Sequence, residues 1–234
     1  MRKLFEVEIQ KLKEDILALG GMVEEAILYS VDSLKNRDIP FSQIIYNNDK
    51  LINEKRYEIE NSVMIAIATQ QPMAHDLRLL ASILEVAGEL ERMGDYAKGI
   101  AKINILIGEQ PLLKPLVDLP IMAEKSADML HRALAAFTTE NINAARTIPP
   151  EDDEIDALYT KIYQDLITYV IKDPEAPRIM ERANRLLWAA HNLERVADRV
   201  TNICERTIFV VTGEMDEIDA SDDELRQLKI EKKT

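Results

Sequence analysis

Leu12, Ile16, Leu19, Val23, Ala26, Ile27, Ser30, Val31 and Leu34 recur at steps of three and four. That spacing is one face of a 3.6-residue period and predicts an amphipathic helix. Ile45, Ile52, Ile59, Val63 and Ala66 mark a second such stripe, and Leu80, Ile83, Leu84, Ala87, Leu90, Gly94 and Ala101 a third. Prolines fall between the stripes, at 40, 72, 111, 115, 120, 149, 150, 174 and 177. A proline lacks the amide donor and clashes with the preceding turn, so it belongs near helix starts and in connections. The pattern predicts helices over 4–37, 41–70, 73–107, 121–139, 150–172 and 176–212, a linker at 108–120 and an acidic tail at 214–224. Seven glycines are too few for nucleotide-binding turns, and neither G-x-G-x-x-G nor G-x-x-x-x-G-K-[ST] occurs.

The pattern repeats. A shift of 103 residues sets Glu91-Arg92-Met93-Gly94-Asp95 on Glu194-Arg195-Val196-Ala197-Asp198. The same shift sets Asp49 on Asp152, Ile52 on Ile155, Asn53 on Asp156, Ile59 on Ile162, Leu84 on Leu187 and Leu90 on Leu193. One constant offset over two helices predicts a duplicated domain rather than a solenoid. The expected architecture is all-α: two tandem, pseudo-symmetric three-helix bundles over 1–108 and 109–214, with a charged tail at 215–234.

Charge and composition narrow the function. Acids outnumber bases 42 to 29, a formal charge of −13, which argues against nucleic acid and against anionic lipid as partners. A hydrophobic content of 47% supplies a real core. The lone Cys204 excludes a disulfide framework or a Cys-rich metal site. The opening Met-Arg-Lys-Leu-Phe-Glu-Val-Glu places acids where a signal peptide needs an apolar run, and no apolar stretch approaches a membrane span. The sequence therefore reads as a soluble cytoplasmic protein.

The repeated chemistry is carboxylate. Glu91 and Asp95 share one helix face, as do Glu194 and Asp198. Like charges four apart repel, so a bundle selected only for stability would avoid them. Small neighbours, Ala87, Gly88 and Gly94 in one half and Ala190 and Ala197 in the other, let a helix or an ion approach. Asp49-x-x-x-Asn53 and Asp152-x-x-x-Asp156 hold matching shoulders of the preceding helix. Such all-oxygen sets suit Mg, Mn, Ca or iron ions. The opposing reading is a solvated acidic face. No Glu-x-x-His of the di-iron bundle enzymes occurs, and no nucleophile constellation can be assembled from local spacing. His75, His131 and His191 do not repeat and read as surface or supporting residues; Trp188 and the methionines read as core filling.

Gln70-Gln71-Pro72-Met73-Ala74-His75-Asp76-Leu77-Arg78, followed by Leu90-Glu91-Arg92-Met93-Gly94-Asp95-Tyr96-Ala97, resembles the PhoU family of phosphate-signalling regulators. Asn192-Leu193-Glu194-Arg195-Val196-Ala197-Asp198 carries the resemblance into the second half, where Lys172-Asp173-Pro174 replaces the Gln-Gln-Pro opening. The resemblance implies a multinuclear metal cluster, iron or otherwise Mn, Mg, Zn or Ca, held at Asp49, Asn53, Glu91, Asp95, Asp152, Asp156, Glu194 and Asp198. Asn53 departs from the expected Asp, which implies a weaker first site. It also implies a non-enzymatic cytoplasmic adaptor, able to form a homodimer, between the phosphate ABC transporter ATPase and its sensor histidine kinase. In that role it restrains phosphate uptake and the starvation response. Asp76 and Arg78 are the expected partner-binding residues, Pro72 being placed in the first turn of the third helix; bracing of the bundle by Arg78 is the competing role. Alternatives from other classes are an accessory subunit of a different phosphate permease, a carboxylate-bridged metalloenzyme and a metal-free scaffold.

Overall fold

The computed structural model describes residues 2–172, 176–215 and 218, with side chains throughout except at 2–3 and 176–178. Every regular element among them is helical: α1 (Arg2–Asn36), α2 (Ile39–Gln70), α3 (His75–Ile107), α4 (Asp118–Thr139), α5 (Ile142–Thr147), α6 (Asp152–Lys172) and α7 (Ala176–Thr212), with a 3-10 turn at Pro149–Glu151. Most of the expected tail, and Asp173 and Pro174, lie outside the described residues.

The duplication reaches the hydrogen bonds. At the end of α1, Asp38 N–H donates to Ser33 O (2.8 Å) and Arg37 N–H to Leu34 O (3.4 Å), with Arg37 left-handed at φ 60°. At the end of α4, Asn141 N–H donates to Ala136 O (2.8 Å) and Glu140 N–H to Phe137 O (3.2 Å), with Glu140 at φ 56°. Both corners are Schellman closures that satisfy the last carbonyls of a helix. The next helix then starts on a matching cap: Asp38 accepts from Phe41 N–H (2.9 Å), and Asn141 from Ala144 N–H (3.1 Å).

Beyond these caps the halves differ. From its cap α2 runs unbroken, whereas the corresponding stretch begins as α5, passes through Pro149–Pro150 and resumes as α6. Two prolines without amide donors cannot continue the α-helical ladder, so the chain tightens into the 3-10 turn. The helix expected over 150–172 is found as α6, starting at Asp152, and the short α5 before it is not among the expected helices. The third helix also begins later than expected. Gln71 (φ 51°) and Ala74 (φ 47°) are left-handed, α3 starts at His75, and Pro72 lies in the turn before it rather than in its first turn.

Helix α1 packs on α2 and α3, and α7 packs on α4, α5 and α6; α1–α4 and α3–α7 contacts then join the halves. One buried apolar cluster runs from Leu12 to Val210 across both. Each fully buried Leu or Ile in it contributes about 1.5–3 kcal/mol relative to exposure. At Gly20 of α1 a Cβ would run into the tip of the Leu134 side chain on α4, so a larger residue there requires that side chain to move. Cys204 is fully buried, and burial pushes its thiol up to about 12. Trp188, expected in the core, is instead 54% exposed and edge-on to His191, with ring centroids 5.6 Å apart.

Asn104 is fully buried and forms a polar hub that sequence reasoning missed. Its Nδ2 donates to Ser33 O (2.9 Å), Ser42 Oγ (2.8 Å) and Asp38 O (3.3 Å), while its Oδ1 accepts from the Arg37 guanidinium. The α1–α2 corner is thereby tied to the end of α3.

Candidate metal centre

In the second half the acids come from α6 and α7. Asp152 is buried, Glu194 half-buried, and Asp156 and Asp198 exposed, so the group grades from core to solvent. The Oδ1 of Asp152 is buried without a hydrogen-bond partner. Burial, then the charges of Asp156, Asp198 and Glu194, push the Asp152 carboxyl up to about 7. Burial and Asp198 also raise Glu194, with His191 partly offsetting them; His191 Nδ1 lies 2.9 Å from Glu194 Oε2. Asp198 is raised by desolvation against the opposing pull of Arg195, Arg199 and His191. Those arginines turn toward α3, Arg195 Nε donating to Tyr96 Oη (3.0 Å) and Arg199 Nη1 reaching Glu89 Oε2 (3.5 Å). Four carboxylates thus share one field. Among the described residues, no three acid, histidine or cysteine side chains stand close enough to hold an ion without rearrangement.

The first half repeats the placement on α2 and α3, with Asp49 buried, Glu91 half-buried and Asp95 exposed. Gly94 makes room for it: a Cβ there would meet Ile52 at 3.0 Å and Asp49 Oδ1 at 3.8 Å. The local chemistry differs. Lys98 Nζ stands 2.7 Å from Asp49 Oδ2 and 3.4 Å from Asp95 Oδ1, and 5.6 Å from the Tyr46 ring centroid. Asn53 points its amide donor at Asp49 Oδ2 (3.1 Å), and Arg56 Nη1 lies 3.6 Å from Glu91 Oε1. Burial, then Asp95, still raises Glu91 despite Arg56. Sequence reasoning missed both Lys98 and Arg56, although Lys98 lies three residues after Asp95 on the same helical face. Asp49 Oδ1, like Asp152 Oδ1, is buried without a partner.

Comparison with known proteins gives this repeated arrangement a family. The PhoU domain model matches residues 16–103 and again 119–207. The chain belongs to the PhoU family. It is 33% identical over 225 residues to a Clostridium acetobutylicum protein named phosphate-specific transport system accessory protein PhoU homolog, covering 94% of this chain and 99% of that one. A Streptococcus pneumoniae protein of the same name is 34% identical over 215 residues, covering 92% and 98%. The crystal structure of the phosphate transport system regulatory protein PhoU from Streptococcus pneumoniae superposes with a TM-score of 0.83 at 32% identity, over 92% of this chain and all of that one. PhoU from Pseudomonas aeruginosa gives 0.82 at 30% identity, over 90% and 100%.

Within this PhoU fold the start of α3 is partly committed. Arg78 Nε donates to Val210 O (3.1 Å), and its guanidinium lies where a Cβ on Gly213 would stand 3.5 Å away, so it braces α3 against the end of α7. Asp76 sits exposed in the first turn, beside Met73 at 79% and Leu77 at 44% exposure. His75 Nε2 and Lys13 Nζ each lie 2.8 Å from the Glu140 carboxylate. Burial alone would raise Glu140, but these two partners outweigh it and hold the carboxyl below its usual range. No helix among the described residues is long and apolar enough to cross a membrane.

Proposed function

We propose that this chain is a cytoplasmic, non-enzymatic, metal-binding adaptor of phosphate uptake. In this reading it links the phosphate ABC transporter ATPase to a sensor histidine kinase and restrains uptake and the starvation response when phosphate is plentiful. The observation that carries the adaptor role is similarity to phosphate-transport accessory proteins along nearly the whole chain. Its charge of −13 favours protein partners over DNA. The exposed Met73–Leu77 stretch is the proposed docking face, and any contact made by Arg78 adds to its bracing of α7.

Asp152, Asp156, Glu194 and Asp198 fit a hard cation. They offer only oxygen donors, they repel one another, and the buried Asp152 Oδ1 has no partner. A bound multinuclear cluster, iron or otherwise Mn, Mg, Zn or Ca, would add positive charge among these mutually raised acids and tie α6 to α7.

Two measurements test the reading. Tagged protein from cells grown at high phosphate is expected to retain the transporter ATPase and the kinase; retention of neither removes the adaptor role. Protein purified without chelator is expected to carry metal that the double change Glu194→Gln and Asp198→Asn abolishes. Equal metal content in the two proteins removes the ligand assignment.

A further inference from the structure

Resting on the proposed metal site of the second half, we infer that the first half is not a metal site in this chain: the ammonium of Lys98 takes the cation's place, and only the second half loads metal. The repeat itself supplies the comparison. At the offset of 103, Lys98 corresponds to Thr201, Arg56 to Tyr159, Asn53 to Asp156 and Tyr46 to Pro149. Each first-half residue of that set favours a positive charge already built into the protein.

Lys98 Nζ bridges Asp49 Oδ2 at 2.7 Å and Asp95 Oδ1 at 3.4 Å, and it faces the Tyr46 ring at 5.6 Å. Two carboxylates and an aromatic face together make a site for an ammonium. Arg56 engages Glu91 at 3.6 Å. Asn53 directs N–H rather than oxygen at Asp49, donating to both its side chain (3.1 Å) and its carbonyl (3.2 Å). Three carboxylates therefore face two fixed cations and an amide donor. At the matching positions the second half carries Thr201, Tyr159 and Asp156, so no lysine stands in the place of Lys98 and no arginine in the place of Arg56. Asp49 Oδ1 remains as a partnerless oxygen, but a divalent ion reaching it would approach the Lys98 ammonium on the other oxygen of the same carboxylate. Ligand charge count tunes the affinity of oxygen sites, so the two halves separate widely in affinity.

Metal per chain, measured by elemental analysis after loading the full-length protein with Fe²⁺ or Mn²⁺, tests this. The double change Asp49→Asn and Glu91→Gln is expected to leave metal content at the wild-type level. Lys98→Thr combined with Asn53→Asp, which removes the ammonium and gives the first half four carboxylates, is expected to raise it about twofold by opening a second site. A fall in metal content on changing Asp49 and Glu91 overturns the Lys98 assignment and leaves the metal reading standing. Wild-type content in a folded Lys98→Thr, Asn53→Asp protein, checked by circular dichroism, overturns it as well. Wild-type protein that takes up no metal overturns the metal reading and this inference with it.

Discussion

In the presence of chelator, the protein is expected to become more stable as pH falls from 8 to 5.5. Asp152 drives the trend. Its carboxyl titrates near 7 in the folded chain against 3.8 in the unfolded one, so the native state holds the proton more tightly. That contribution is complete below about 3.8 and is lost as pH rises through 7. Glu194 and Asp198 are shifted in the same direction and add to it. Only the part of the shift between pH 5.5 and about 7 falls in this window, at most about 2 kcal/mol, and screening by solvent reduces it to about 1 kcal/mol. Urea unfolding with chelator at the two pH values measures it directly. Asp152→Asn is expected to flatten the profile and to stabilise the chelated protein at pH 8. A midpoint that rises from pH 5.5 to 8 would contradict the assignment.

Asn104→Leu is expected to cost about 3–5 kcal/mol, since it deletes four side-chain hydrogen bonds at about 1 kcal/mol net each. The change removes the bonds to Ser33 O, Ser42 Oγ, Asp38 O and the Arg37 guanidinium together, and leaves the corner held only by the Ser33–Ser42 hydroxyl pair, the Asp38 N–H bond to Ser33 O and the bonds of Arg37 to Gly108 O and Gln110 O. For a chain of this size that is a fall of about 6–20 °C in midpoint. The second half provides the control. Thr207, at the matching position, is equally buried but donates its hydroxyl only to Ile203 O of its own helix (2.9 Å). Thr207→Val is therefore expected to cost no more than about 1.5 kcal/mol, the net value of one ordinary hydrogen bond. Similar losses at both positions would show that Asn104 is not a hub.

The acid pairs were legible because their partners are local. Residues four apart on a helix share a face whatever the rest of the fold does, and duplication at one offset marks them as more than a solvated surface. Lys98 was legible by the same rule, three residues beyond Asp95, and comparison with Thr201 would have singled it out. Arg56 needed more, since it meets Glu91 only when α2 packs on α3. Asn104 could not have been read at all. Its partners lie 62 to 71 positions away and converge only through the Schellman corner at Arg37 and Asp38.

The sequence by itself determined the helices, the duplication and the face on which each acid pair lies. These follow from periodicity and from the limits proline imposes, both of which act within a few residues. The doubled proline before Asp152 is likewise visible in the chain, though periodicity alone does not show that it splits one helix of the repeat into α5 and α6. Only the tertiary structure decided which charges neutralise which. Asp49 and Asp152 occupy equivalent positions, yet one finds a lysine and the other finds three more acids. Ionisation depends on the field from every charge packed nearby, and that field exists only once α2 meets α3 and α6 meets α7.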